Sequence, residues 1–316
     1  MKPITQENAR LGFIGIGYMG RPIARRLLEA GFKLKAYDRD PNKADELVRY
    51  GGTVAQSLWE LSSSCNVVLS CLPSDQTVLD TYRAPGGVFA NAHRDSVVID
   101  LSTIYPETSQ ELSRLGAEHG VEVLDVTMSG STPVAEKGLL TLFGGGSKDR
   151  FDSAESIFRV ISQKYFYLGP SGSGATMKLV VNALLGIGMQ AIAESVALGE
   201  KAGLDRNRLL DVLSQTAVVA PAHLGKLQRA RKGDYSPQFP IRLMNKDFGL
   251  IFNLAAAVGA RMPAAGVAFE INSRQSDEGE EQDFSAVILQ MEKQAHLPLQ
   301  EHGLARAGVD STGKVI

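Results

Sequence analysis

A chain of 316 residues is long enough to bury two separate cores, and its 44% share of hydrophobic residues is ordinary for a globular protein. Acidic and basic side chains nearly cancel, leaving a formal net charge of −2. That balance argues against a nucleic-acid binder, which normally carries a basic stripe.

Residues 1–10 are polar and include Pro3, with no apolar h-region, so no secretory signal is expected and the cytoplasm is the expected compartment. Residues 10–16 are a short apolar run ending in glycines, which predicts a buried strand. A helical pattern follows at once, with Met19, Ile23, Leu27 and Leu28 on one side and Gly31 as its stop. Residues 32–37 read as a second strand, and Asp40-Pro41 opens a helix, an N-cap followed by proline at N1. Further strands are predicted at 67–71, 97–101, 121–126, 139–143 and 164–168, with an amphipathic helix at 106–119. Strands alternating with helices imply a mainly parallel sheet that takes ligands at the carboxyl ends of its strands. The two cysteines, Cys65 and Cys71, fit neither a redox pair nor a zinc site and read as small buried residues.

Beyond Gly169-Pro170 the strand signals vanish. Residues 174–202 read as one long helix rich in Ala, Leu and Gly, with shorter helices at 205–215 and about 245–258. The most apolar stretch, 178–199, is interrupted by Asn182, Gln190 and Glu194, so it suits a core or dimer helix better than a membrane span. The expected division is a dinucleotide-binding domain at 1–169 and an all-helical domain at 170–316. From about His296 periodicity is lost, as in a tail or an arm on a partner.

Gly15-Ile16-Gly17-Tyr18-Met19-Gly20 follows a strand and opens a helix, the context in which a G-x-G-x-x-G run binds a dinucleotide. Gly15 suits a tight turn, Gly17 a close approach of pyrophosphate, and Gly20 close helix packing, with the phosphates on the free N–H groups of the helix. Asp38 ends the second strand, where a carboxylate can hold the ribose hydroxyls of NAD. It would repel the 2′-phosphate of NADP, which favours NAD; Arg39 beside it could meet that phosphate, which leaves NADP open. Gly144-Gly145-Gly146-Ser147-Lys148 and Ser311-Thr312-Gly313-Lys314 lack the spacing of a phosphate-binding loop and read as turns. The five histidines show no metal-ligand spacing, and no catalytic metal is expected.

The run GFIGIGYMGRPIARRLLEAGF closely resembles the opening of the 3-hydroxyacid dehydrogenases, a family that includes 3-hydroxyisobutyrate dehydrogenase and semialdehyde reductases. The resemblance continues in order through Cys71-Leu72-Pro73, Leu101-Ser102-Thr103-Ile104, Asp125 to Ser131, Gly172 to Asn182, Lys246-Asp247-Phe248 and Asp283-Phe284-Ser285. It implies a Rossmann-type domain followed by an all-helical domain of the 6-phosphogluconate dehydrogenase kind, joined by one long helix. Leu72 and Pro73 would pass under the cofactor, Thr103 would lie near the nicotinamide, and Lys246 would contact the cofactor or a substrate carboxylate. Ser129, Gly130 and Ser131 match the substrate motif; their hydroxyls and backbone N–H groups suit a carboxylate. Here the chain departs from the family, with Val126-Thr127-Met128 before the serine and Ser131 in place of a glycine, so the substrate's identity does not follow.

Lys178 and Asn182 match the family's K-x-x-x-N. A lysine early in a helix, beside Met177, Leu179 and Val180, is expected to lose some of its charge preference to apolar surroundings and the positive helix end, as an acid/base needs. Asn182, one turn on, would orient substrate or lysine. The expected activity is hydride transfer between NAD(P) and a small 3-hydroxy acid by a homodimer or homotetramer, with neither nucleic acid nor membrane as partner. Imine reduction on the same fold and a non-catalytic dinucleotide-binding module are the alternatives, and retention of Lys178 weighs against both.

Overall fold

The computed structural model describes residues 2–274 and 277–297. Two compact units emerge, Met1–Val181 with Leu250–Val258, and Asn182–Gly249 with the residues from Gly259 on.

The first unit is built on an eight-stranded sheet: β1 (Arg10–Ile14), β2 (Lys33–Tyr37), β3 (Thr53–Val54), β4 (Val67–Ser70), β5 (Val97–Asp100), β6 (Glu122–Ser129), β7 (Leu140–Gly145) and β8 (Ser162–Gly169), in the order β3-β2-β1-β4-β5-β6-β7-β8. The order reverses between β1 and β4, the switch point at which such sheets bind ligands. β4 and β5 read VVLS and VVID and are buried throughout, as strands covered on both faces must be. Alternate residues feed two cores. Phe13, Leu69 and Ile99 pack with Ile23 and Leu27, while Ile14, Val68 and Val98 join Leu61, Tyr82 and Leu112.

Only β6 and β7 run antiparallel in this sheet. A parallel return needs a crossover of a dozen or more residues, and residues 130–139 with the short helix Thr132–Glu136 are too few. The next connection, carrying the helices Lys148–Ser153 and Glu155–Ile161, is long enough, and β8 is parallel to β7.

Several elements differ from the sequence reading. β1 stops at Ile14 because Gly15 leaves the strand with φ +92. β3 and the helices Leu58–Ser64 and Asp75–Arg83 went unread, although Ser57 and Ser74 announce the two helices by accepting hydrogen bonds from Glu60 N and Thr77 N. Gly144 and Gly145 are not a turn but the end of β7: a Cβ on Gly144 would stand 2.0 Å from the Phe151 ring.

In the second unit the described residues form helices, with one isolated bridge between Pro240 and Asp283. The long helix Ser173–Lys201 enters it at Asn182, and Arg206–Ser214, Pro221–Arg231, Pro263–Asn272 and Val287–Gln294 follow. The helix Ile241–Val258 gives its last residues to the first unit. Buried ion pairs hold this unit: Arg206 Nε–Glu292 Oε1 at 2.6 Å and Lys226 Nζ–Asp283 Oδ2 at 2.6 Å. The Asp283-Phe284-Ser285 segment is therefore a structural cap, since Asp283 also accepts from Gln238 N, Phe239 N and Ser285 N. Ser173–Lys201 is long and apolar enough to cross a membrane, yet half of its most apolar window is buried, with Leu179, Met189 and Val196 in the core. Residues 298–316, with the expected tail and Ser311 to Lys314, lie outside the described residues.

Candidate active site

The glycine loop lies at the switch point of the sheet. Gly15 takes φ +92, and a Cβ there would stand 2.3 Å from the Cys71 carbonyl oxygen, so the turn is pressed against the loop that follows β4. A Cβ on Gly20 would stand 1.9 Å from the Gly15 carbonyl oxygen, whereas one on Gly17 would meet nothing within 4 Å. Gly15 thus lets the turn lie against the loop after β4, Gly20 lets the helix close on the turn, and Gly17 faces open space. The helix Gly20–Glu29 starts at Met19 with no side-chain cap and no acid in its first turn, and Tyr18 is half exposed. Uncapped N–H groups at a positive helix end suit a pyrophosphate, and the local residues fit a dinucleotide.

Asp38 sits where a ribose acid belongs, and it also braces the loop: Oδ2 accepts from Ile16 N at 2.8 Å and Oδ1 from Asp40 N at 3.0 Å. Each oxygen retains a lone pair for a hydroxyl donor. Arg39 next to it is exposed.

The loops carrying Leu72-Pro73 and Thr103 are tied together by a buried network that sequence reasoning missed. Tyr82 donates to Ser70 Oγ at 2.7 Å, and Ser70 donates to Asp100 Oδ1 at 2.6 Å. Ser102 donates to the same oxygen at 2.6 Å, and its own Oγ accepts from Leu72 N at 2.9 Å. Burial pushes the Asp100 carboxyl up to about 6, against the opposing pull of the Ser102 and Ser70 hydrogen bonds. Asp75 Oδ1 secures the far end of the second loop by accepting from Tyr105 N and Thr108 Oγ1, both at 2.7 Å. The only local hint was a run of short polar residues at strand ends.

Ser129 closes β6, Gly130 takes φ +138, and Ser131 precedes the turn of helix at Thr132–Glu136. Lys178 is the sixth residue of the helix Ser173–Lys201 and is partly buried, followed by the buried Leu179 and the half-exposed Val180. The positive end of that helix is already met by a carboxylate, since Asp125 accepts from Gly172 N and Ala175 N.

Lys178 belongs to the first unit and Asn182, one turn along the helix, to the second. Within the second unit Asn182 is buried and donates through Nδ2 to Asp247 Oδ2 at 2.5 Å. The other oxygen of Asp247 pairs with Lys246 Nζ at 2.8 Å, so these three side chains form a chain that ends on the amide. Asn182 Oδ1 is a buried acceptor with no hydrogen-bond partner. Such an atom is costly unless something else satisfies it. Among the described residues no three His, Cys, Asp or Glu side chains gather as a metal site would require.

Residues 10–169 match the family model described as the NAD binding domain of 6-phosphogluconate dehydrogenase. Residues 172–291 match the one described as NAD-binding of NADP-dependent 3-hydroxyisobutyrate dehydrogenase. The chain is 34% identical over 279 residues to glyoxylate/succinic semialdehyde reductase 1 of Arabidopsis thaliana, spanning 88% of this chain and 96% of that one. It is 33% identical over 287 residues to 3-hydroxyisobutyrate dehydrogenase of Pseudomonas aeruginosa, spanning 88% and 96%. The crystal structure of 3-hydroxyisobutyrate dehydrogenase from Salmonella typhimurium superposes with a TM-score of 0.81 at 26% identity, spanning 88% of this chain and 98% of that one.

Proposed function

The chain belongs to the 3-hydroxyacid dehydrogenase family, and we propose from that premise that it moves a hydride between NAD(P) and a small 3-hydroxy acid, or the matching semialdehyde in reverse, with Lys178 as acid/base. The observation that carries the reading is a lysine in the second turn of a helix gripped at its start by the strand that ends in Ser129, in the same unit as the glycine loop.

The nicotinamide supplies or accepts the hydride when bound. Ser129 Oγ and the N–H groups of Gly130 and Ser131 hold the substrate carboxylate. In reduction, protonated Lys178 donates a hydrogen bond to the carbonyl oxygen and transfers its proton as hydride arrives at carbon. In oxidation, neutral Lys178 takes the hydroxyl proton. Asn182, held by Asp247, offers Oδ1 to a substrate hydroxyl. Gly15, Gly17, Tyr18, Met19 and Gly20 seat the pyrophosphate, Leu72, Pro73 and Thr103 line the cofactor, and Lys246 acts through Asp247.

Asp38 supports NAD over NADP, because a carboxylate fixed by Ile16 N and Asp40 N cannot swing away from a 2′-phosphate. Exposed Arg39 supplies the route by which NADP could still be taken. A second copy of the chain is proposed to cover the exposed Val180, Leu184 and Leu198 of the long helix, and the cytoplasm is the compartment proposed for the enzyme.

Turnover of 3-hydroxyisobutyrate, glycerate, 4-hydroxybutyrate, threonate and serine, followed by absorbance of the reduced cofactor, tests this reading. Lys178→Ala is expected to lose about 10²- to 10⁴-fold in kcat. Near wild-type turnover by that variant sinks the mechanism.

A further inference from the structure

Two side chains of β6 that face the same way, Asp125 and Thr127, reach the start of the Lys178 helix. Asp125 is 2% exposed; its Oδ1 accepts from Gly172 N at 2.9 Å and its Oδ2 from Ala175 N at 3.0 Å. Thr127 Oγ1 donates to the Gly174 carbonyl at 2.7 Å. The surrounding backbone is stripped of side chains to allow this. A Cβ on Gly174 would stand 2.4 Å from the carbonyl oxygens of both Asp125 and Phe143, and one on Gly145 would stand 2.6 Å from Asp125 Oδ1. Gly172 takes φ +91.

The helix begins on Ser173, and the nearby Ser171 spends its hydroxyl on the Ser109 carbonyl at 3.1 Å. Here the carboxylate comes from 47 and 50 residues away, from the strand that runs on into Ser129. The glycines at 172 and 174 thereby acquire a reason that involves no ligand: they let strand and helix meet.

We propose that Asp125 is a positioning residue, which clamps the first turn of the Ser173–Lys201 helix to β6 and so sets Lys178 at a fixed offset from the Ser129-Gly130-Ser131 cradle. The inference rests on the reading of Lys178 as acid/base. Lys178 lies three residues past Ala175, ~4.5 Å along the helix axis, and Ser129 lies four residues past Asp125, ~13 Å along the strand. Both reacting partners are therefore measured from one buried carboxylate. A misplacement of about 1 Å at reacting atoms costs on the order of 100-fold in rate.

Asp125→Asn keeps the size of the side chain but removes the charge and turns an N–H donor toward a backbone N–H. Thr127→Val removes only the bond to Gly174. The expected result is a split: kcat falls about 30-fold in Asp125→Asn and about threefold in Thr127→Val, while the Kd for reduced cofactor, read by nicotinamide fluorescence, stays within about twofold. A general loss of structure would move both quantities together. Should Asp125→Asn fail to fold, Thr127→Val decides the matter. Unchanged kcat in the folded variant, or a cofactor Kd that rises in step with the fall in kcat, overturns the proposal. Amide exchange over residues 172–178 of the full chain with reduced cofactor bound keeps the two readings apart. If Lys178→Ala still turns over, the acid/base reading has failed, while faster exchange in both β6 variants still marks the clamp. Exchange equal to wild type shows that no clamp exists.

Discussion

At the scale of single residues, the charged groups that matter are those with two tasks. Asp38, proposed to select the cofactor, also pins the glycine loop through Ile16 N. Asp38→Ala should therefore weaken NAD more than NADP, by about tenfold, while lowering the melting temperature slightly through the lost loop bond. Equal weakening of both cofactors, read by titration of reduced-cofactor fluorescence, would show that the carboxylate does not see the ribose. Asp100 ties Ser70 and Ser102 beneath the cofactor loops, and burial lifts its carboxyl from 3.8 to about 6. A folded-state value above the unfolded one means that the folded state binds the proton more tightly. Its stabilising contribution is full below about pH 4 and is lost as pH rises through about 6. A shift of this size is worth on the order of 3 kcal/mol across that window. Asp100→Asn carries no such dependence, so urea melts of the two proteins should diverge in favour of the variant from pH 4 to 7. A difference flat in pH would refute this. Of the bonds these acids make, only the local ones could be foreseen. Asp40 as a helix cap follows from Asp-Pro, and the structure shows it accepting from Asn42 N. The reach of Asp125 across 47 residues leaves no local mark.

At the scale of elements, the glycine turn separates into positions that serve the fold and one, Gly17, that is proposed to serve the ligand. Gly20→Ala forces a Cβ to within 1.9 Å of a carbonyl oxygen that has no room to move, so the helix must lift from the turn. It should cost about 2–4 kcal/mol of stability and most cofactor affinity. Gly17→Ala meets nothing within 4 Å and should leave stability within about 0.5–1 kcal/mol, yet weaken cofactor more than tenfold by crowding the pyrophosphate. Calorimetry with and without reduced cofactor distinguishes them, and a Gly17→Ala variant that binds normally would remove the phosphate from that turn. The β-α-β unit was legible because a strand, a glycine turn and an amphipathic helix each announce themselves within a few residues. The strand at 139–143 was read, but the antiparallel direction of β7 was not, since that direction follows from the length available to residues 130–139 and not from any pattern inside the strand.

At the scale of the whole molecule, the long helix carries the remaining question. Val180, Leu184 and Leu198 are 48%, 71% and 72% exposed on a helix only half of whose most apolar window is buried, at spacings that keep them on one side. Apolar groups in such a row are expected to be covered by a second copy. Leu184→Glu should shift the species seen by light scattering toward monomer without lowering cofactor affinity. An unchanged oligomer, or a wild type that is already monomeric, would remove this face from consideration.

The sequence by itself determined the alternation of strands and helices, the dinucleotide turn with Asp38 after it, and the passage from a mixed to an all-helical composition beyond Gly169, because each depends on propensities and periods that neighbouring residues carry. It also set Asn182 about one helical turn past Lys178 on the same helix. Only the tertiary structure decided what fixes these groups: the Asp100 network under two loops, the Asp247 carboxylate on Asn182, and the Asp125 clamp on the helix of Lys178. Those contacts join residues remote in sequence, and a buried carboxylate finds its donors only when the chain has already folded around it.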